Sequence, residues 1–188
     1  MSQELFDAVT HGVKSTVYSI MQEQSDLINF VFENDKSVFE YAVARGYTML
    51  AKSLIDLPGF DLDFPGHNPL RAAISSGYDE IGAILLEKGA NPNSYQENQG
   101  SLLWLCLENG CFELAEKTLE HGAEIDVRDE RGWTILIYAA YTGLEKIVDF
   151  LLEHHASINI CTNDGWSAIV GAYAKNLSTN KQDTKPHG

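Results

Sequence analysis

Between residues 144 and 153, apolar side chains fall three and four apart at Leu144, Ile147, Val148, Leu151 and Leu152, while Glu145, Lys146, Asp149 and Glu153 fill the gaps. That period puts the apolar set on one face of an amphipathic helix. The same phase runs through Ile81, Ile84, Leu85 and Leu86, and through Phe112, Leu114, Ala115 and Leu119. A different kind of segment precedes each of these, about nine residues long, with Ala42, Ala73, Cys106, Ala139 and Ala172 at equivalent central positions. Small centres let neighbouring helices approach at the short end of the packing range, roughly 8 Å. A glycine usually closes that segment and suits a left-handed helix end. Asp129-Glu130-Arg131-Gly132 and Thr162-Asn163-Asp164-Gly165 read as hairpin tips between units.

The segments recur with a fixed period. Asn68 to Gly77, Ser101 to Gly110 and Thr134 to Gly143 align position by position, Ser37 to Gly46 and Gln3 to Gly12 follow the same pattern, and Ser167 to Asn176 follows it without the glycine. The closing positions 12, 46, 77, 110, 143 and 176 are separated by 34, 31, 33, 33 and 33 residues. A second motif keeps step with the first: Gly89-Ala-Asn-Pro-Asn93, Gly122-Ala-Glu-Ile-Asp126 and His155-Ala-Ser-Ile-Asn159. These motifs resemble those of the ankyrin repeat family over residues 3 to about 176.

A unit of two short helices cannot bury its own apolar face, so units must stack. The expected fold class is therefore an all-α ankyrin-repeat solenoid of about six helix-turn-helix units with short hairpin loops. We expect one domain over 1–176, with repeats near 1–32, 33–63, 64–96, 97–129, 130–162 and 163–176. The first repeat is degenerate and the last incomplete. Residues 177–188 have too few apolar side chains for an ordinary second helix and are expected to form a polar, frayed tail.

Composition narrows the function classes. The 13 Lys and Arg against 27 Asp and Glu give a formal charge of −14, which opposes binding to nucleic acid or to an anionic membrane surface. The longest uncharged apolar stretch, Trp133 to Leu144, is shorter than a spanning helix of about 20 residues. Acids stand at Glu4 and Asp7 where a signal peptide carries basic residues, so a cytoplasmic location is expected. Cys106, Cys111 and Cys161 form no CxxC pair and are read as buried free thiols.

No nucleophile elbow, P-loop, dinucleotide fingerprint or HExxH motif occurs, so neither enzymatic activity nor a cofactor is expected. His121, His154 and His155 are read as solvated helix ends rather than metal ligands. Glu113, Glu116, Glu120 and Glu124 lie at helical spacing on an outer face, without the enclosure that would separate the pKa values of paired catalytic carboxylates.

A surface for binding a protein remains. The resemblance implies contact through the hairpin tips and the exposed side of the first helices, which line a concave groove. On this chain the tips are Glu33, Asn34 and Lys36; Phe64, Pro65 and His67; Glu97 and Asn98; Glu130, Arg131 and Trp133; and Asn163, Asp164 and Trp166. Tyr41, Arg45, Ser75, Ser76, Glu108, Asn109, Tyr138, Tyr141 and Thr142 add the helix positions. Trp133 and Trp166 share one repeat position, so stacking places them side by side, either exposed as anchors or packed along the next hairpin. Trp104 occupies the family's histidine position and is expected to be buried. The partner-binding set is thus Trp133, Trp166, Tyr141, Tyr138, Glu130, Arg131, Asp164, Glu108, Asn109 and His67. The acidic balance suits a basic protein partner steered by charge, with the chain monomeric when free. An immunity or inhibitor protein neutralising a basic toxin or enzyme is one expectation. The alternative is an adaptor or secreted effector docking onto a host or signalling protein.

Overall fold

A computed structural model describes residues 2–94 and 100–183, with side chains over 3–94 and 100–176. Its helices come in pairs: α1 (Ser2–Thr10) with α2 (Lys14–Glu23), α3 (Val38–Ala44) with α4 (Thr48–Ile55), α5 (Pro69–Ser75) with α6 (Asp79–Glu87), and α7 (Leu102–Glu108) with α8 (Phe112–Glu120). Then come α9 (Ile135–Thr142), α10 (Glu145–Glu153) and a long α11 (Ala168–Asp183). Among the described residues there is no β-strand, only isolated antiparallel bridges between Val31 and Ser37 and between Cys161 and Ser167.

In four repeats a polar residue starts the first helix. Ser37 accepts from the Glu40 amide at 3.1 Å while the Glu40 carboxylate accepts the Ser37 amide at 2.7 Å, a closed capping box. Asn68, Ser101 and Thr134 accept from the amides of Arg71, Trp104 and Ile137 in the same way. Each cap satisfies an amide that has no partner inside the helix. At the other end of α9, Gly143 takes φ +79°, a left-handed turn that sends the chain back as α10.

The chain divides into two compact units, Met1–Ala123 and Glu124–Gly188. In the first, α1, α3, α5 and α7 pack in succession, and so do α2, α4, α6 and α8. Leu70 and Ile74 from α5, Ile81 and Leu85 from α6, and Leu102, Leu107 and Leu114 from the last pair are all but fully buried. Each contributes about 1.5–3 kcal/mol of transfer free energy. The small residues Ala42, Ala73 and Cys106 are fully buried at the helix centres.

Within this unit, side chains between the pairs tie successive repeats. Asn29 donates to the Gly59 carbonyl at 2.8 Å and accepts the Asp61 amide at 3.0 Å. Asp63 accepts the Asn91 amide at 3.0 Å, and Asn93 donates to the Gly122 carbonyl at 2.8 Å.

In the second unit α9 packs on both α10 and α11. Gly171 permits the close approach of α11, because an added Cβ would stand 3.2 Å from the Tyr141 amide nitrogen. Asp126 accepts the Ser157 amide at 3.0 Å, repeating the inter-repeat tie.

Two expectations need correcting. On α10 the buried residues are Ile147, Phe150 and Leu151, whereas Leu144 and Leu152 are exposed. Leu86 has the same helical phase on α6 and is buried, so Leu152 is open because no neighbouring helix covers it, not because of its phase. Likewise the segment after Asn176 is helical through Asp183 rather than frayed from 177. Asn176 stands where the preceding repeats have their closing glycine, so nothing there turns the helix.

Candidate partner-binding surface

Two hairpins in the second unit carry the tryptophans, and each is built around one side chain. Asp129 accepts the Arg131 amide at 2.9 Å and the Trp133 amide at 2.7 Å. In the next hairpin the Thr162 hydroxyl accepts the Trp166 amide at 3.0 Å. Backbone bonds close both turns, from Asp129 to the Trp133 carbonyl at 3.0 Å and from Thr162 to the Trp166 carbonyl at 2.8 Å. The hairpins are also locked to each other. Asn163 donates its amide to the Arg131 carbonyl and its side chain to the Glu130 carbonyl, both at 2.9 Å, and Arg128 donates to the Cys161 carbonyl at 2.9 Å. Each indole therefore has a fixed origin.

Tyr141 on α9 stands between them. Its ring meets Trp133 edge-on at 5.5 Å and Trp166 edge-on at 5.9 Å, with interplanar angles of 76° and 82°. Both tryptophans are half-buried, while Tyr141 is 44% and Tyr138 45% exposed. The indoles thus pack partly against their own unit and partly face solvent, combining the two alternatives their shared repeat position left open. Glu130, Arg131 and Asp164 are exposed at the tips, so the rings are bordered mainly by acids. Such an arrangement offers rigid aromatic area at small entropic cost.

The other three expected contacts lie in the first unit. Glu108 is exposed at the end of α7, and Asn109, exposed beside it, donates to the Ile74 carbonyl at 3.2 Å. The His67 side chain is only 13% exposed. Its Nδ1 pairs with Glu40 at 2.8 Å, its Nε2 lies 3.7 Å from Asp35, and its ring stacks on Phe64. Glu97 and Asn98, the expected third tip, lie outside the described residues.

Four further residues differ from expectation. Trp104 is half-buried rather than buried. Tyr41, placed on the groove by its repeat position, is 9% exposed because Phe6 and Phe32 pack edge-on against it at 5.5 and 5.4 Å. Cys106 is buried, but Cys111 is half-buried and Cys161 is exposed on the second hairpin; all three are free. His121 and His154 each hold the carbonyl four residues back, at 2.8 Å, and Glu113, Glu116, Glu120 and Glu124 are exposed. Among the described residues no group of three His, Cys, Asp or Glu side chains could hold a metal ion, and no helix is long and apolar enough to cross a membrane.

The family model for ankyrin repeats (3 copies) matches residues 5–96 and 102–180. The chain belongs to the ankyrin repeat family. An all-α repeat solenoid follows as its fold class, and a protein–protein interaction module as its role. No curated protein matches the chain significantly. The ankyrin motifs made the tryptophan positions legible in the sequence. The anchoring roles of Asp129, Thr162 and Asn163 were missed, although polar residues at turn position i are a recognisable sign.

Proposed function

We propose that this ankyrin repeat protein binds a basic protein partner through the aromatic surface of its second unit and thereby blocks that partner, as an immunity or inhibitor protein does. The observation that carries the proposal is the Trp133–Tyr141–Trp166 row, held by two mutually bonded hairpins and flanked by Glu130 and Asp164. Rigid, partly exposed aromatics are the residue types that dominate binding energy, and an acidic border selects cationic partners. The free thiols suit a reducing compartment such as the cytoplasm. Binding, rather than turnover, is the whole activity in this reading.

Affinity capture from the source cells with mass spectrometry identifies the partner, and calorimetric titration then tests the surface. Trp133→Ala or Tyr141→Ala weakens binding by at least about 30-fold, mostly through faster dissociation. A complex in which the partner sits on the outer helices and leaves Trp133 and Trp166 untouched overturns the proposal.

A further inference from the structure

Two apolar positions that are buried in the preceding repeats are open in the last one, and a third is open on α10 beside it. Ile169 stands one repeat after Leu136, Leu103 and Leu70, all of which are 2% exposed or less, yet it is 63% exposed itself. Tyr173 stands one repeat after Ala140, Leu107 and Ile74, all buried, and is 67% exposed. Leu152 on α10 is 42% exposed, whereas its counterparts are buried at Leu86 on α6 and half-buried at Leu119 on α8. Ala172, between the first two in register, is exposed where Ala139, Cys106 and Ala73 are fully buried.

The first unit shows what fills this place. There the second helix α8 packs on its own first helix α7 and on the preceding second helix α6. Its Leu114 comes so near α6 that a Cβ added at Gly82 would stand 2.9 Å from the leucine methyl. The equivalent slot in the second unit is bounded by α10 and α11, and α11 runs on to Asp183 instead of turning back to fill it. The exposed side of this helix presents Ile169, Val170 and Tyr173.

We infer that a second copy of the chain fills the slot, each α11 taking the second-helix position of the other copy about a two-fold axis. Paired helices within a repeat run antiparallel, and a two-fold axis across α11 delivers its copy antiparallel as well. The stripe of Ile169, Ala172 and Tyr173 has i, i+3, i+4 spacing and holds no charge, so it is complementary to itself. Charge favours the same occupant. By sequence α11 carries Lys175 and Lys181 against Asp183, net +1, whereas α10 is net −2 and exposes Glu145 and Asp149 at the slot's edge beside Leu152. Each copy therefore brings a basic helix to the other's acidic one. A pairing through one helix from each copy is small beside stable interfaces, so the dimer dissociates on dilution. A free monomer, the expectation from the sequence, is the opposing outcome.

Sedimentation equilibrium of the full chain over a wide concentration range tests the pairing. The wild type approaches twice its 20.9 kDa mass as concentration rises. Ile169→Glu/Tyr173→Glu stays at the single-chain mass with an unchanged helical circular dichroism spectrum, since both positions are exposed. Val13→Glu, at an exposed apolar residue of α2's N-terminus, leaves the dimer intact. A wild type that remains monomeric up to about 1 mM overturns the inference, and so does a double variant that still dimerises.

Discussion

A cysteine's reactivity depends on its exposure and on how easily its thiol loses a proton, and burial holds back two of the three thiols here. Burial, reinforced by Cys111 and Asp79, pushes the Cys106 thiol up to about 12. Burial and the Asp79 carboxylate push Cys111 up to about 11. Cys161 is exposed on a hairpin. Alkylation of the native protein at pH 8, followed by mass spectrometry, therefore labels Cys161 first and leaves Cys106 and Cys111 until denaturant is added. Equal labelling of all three would contradict the burial described. Gly132 is as specific a point. It takes φ +79°, and a Cβ there would stand 2.6 Å from Arg128 Nη2 and 2.8 Å from Asn163 Oδ1. Gly132→Ala combines left-handed strain of about 1–2 kcal/mol with the loss of a hairpin lock. It lowers the urea midpoint and also weakens partner binding, because the indole of Trp133 loses its anchor.

At the scale of the element, the second helices depend on one narrow arc. Leu151 is fully buried on α10, and Leu151→Ala costs about 2–5 kcal/mol. Glu145 is exposed on the same helix, and Glu145→Ala moves stability by no more than about 0.5 kcal/mol. Urea melts of the two variants separate these values; similar losses would mean that the helix faces are misassigned. The helix pairs and their period were legible because amphipathic spacing and closing glycines are local signals. The open face of Leu152 was not, since periodicity marks a residue as apolar without saying whether another helix covers it.

For the whole molecule, charge sets the terms on which a partner arrives. A net charge of −14 raises the rate at which a basic protein encounters the chain, and salt screens that attraction over about 10 Å at 0.1 M. Stopped-flow association should therefore slow steeply between low and physiological salt, with dissociation nearly constant. Glu130→Ala slows association and flattens the salt dependence. A salt-independent rate would remove steering from the proposed function.

By itself, the sequence determined the helices, their pairing into repeats and the neighbouring positions of Trp133 and Trp166. All of these follow from short-range periodicity, capping chemistry and a repeat length that returns equivalent residues to equivalent places. Only the tertiary structure decided which apolar residues are covered. Tyr41 is buried because Phe6 and Phe32 close over it, while Ile169 and Tyr173 remain open although their counterparts in earlier repeats are core. It also decided that Tyr141 lies in edge contact with both tryptophans. Burial is a property of what stands opposite a side chain, and that depends on how helices from distant parts of the chain come together.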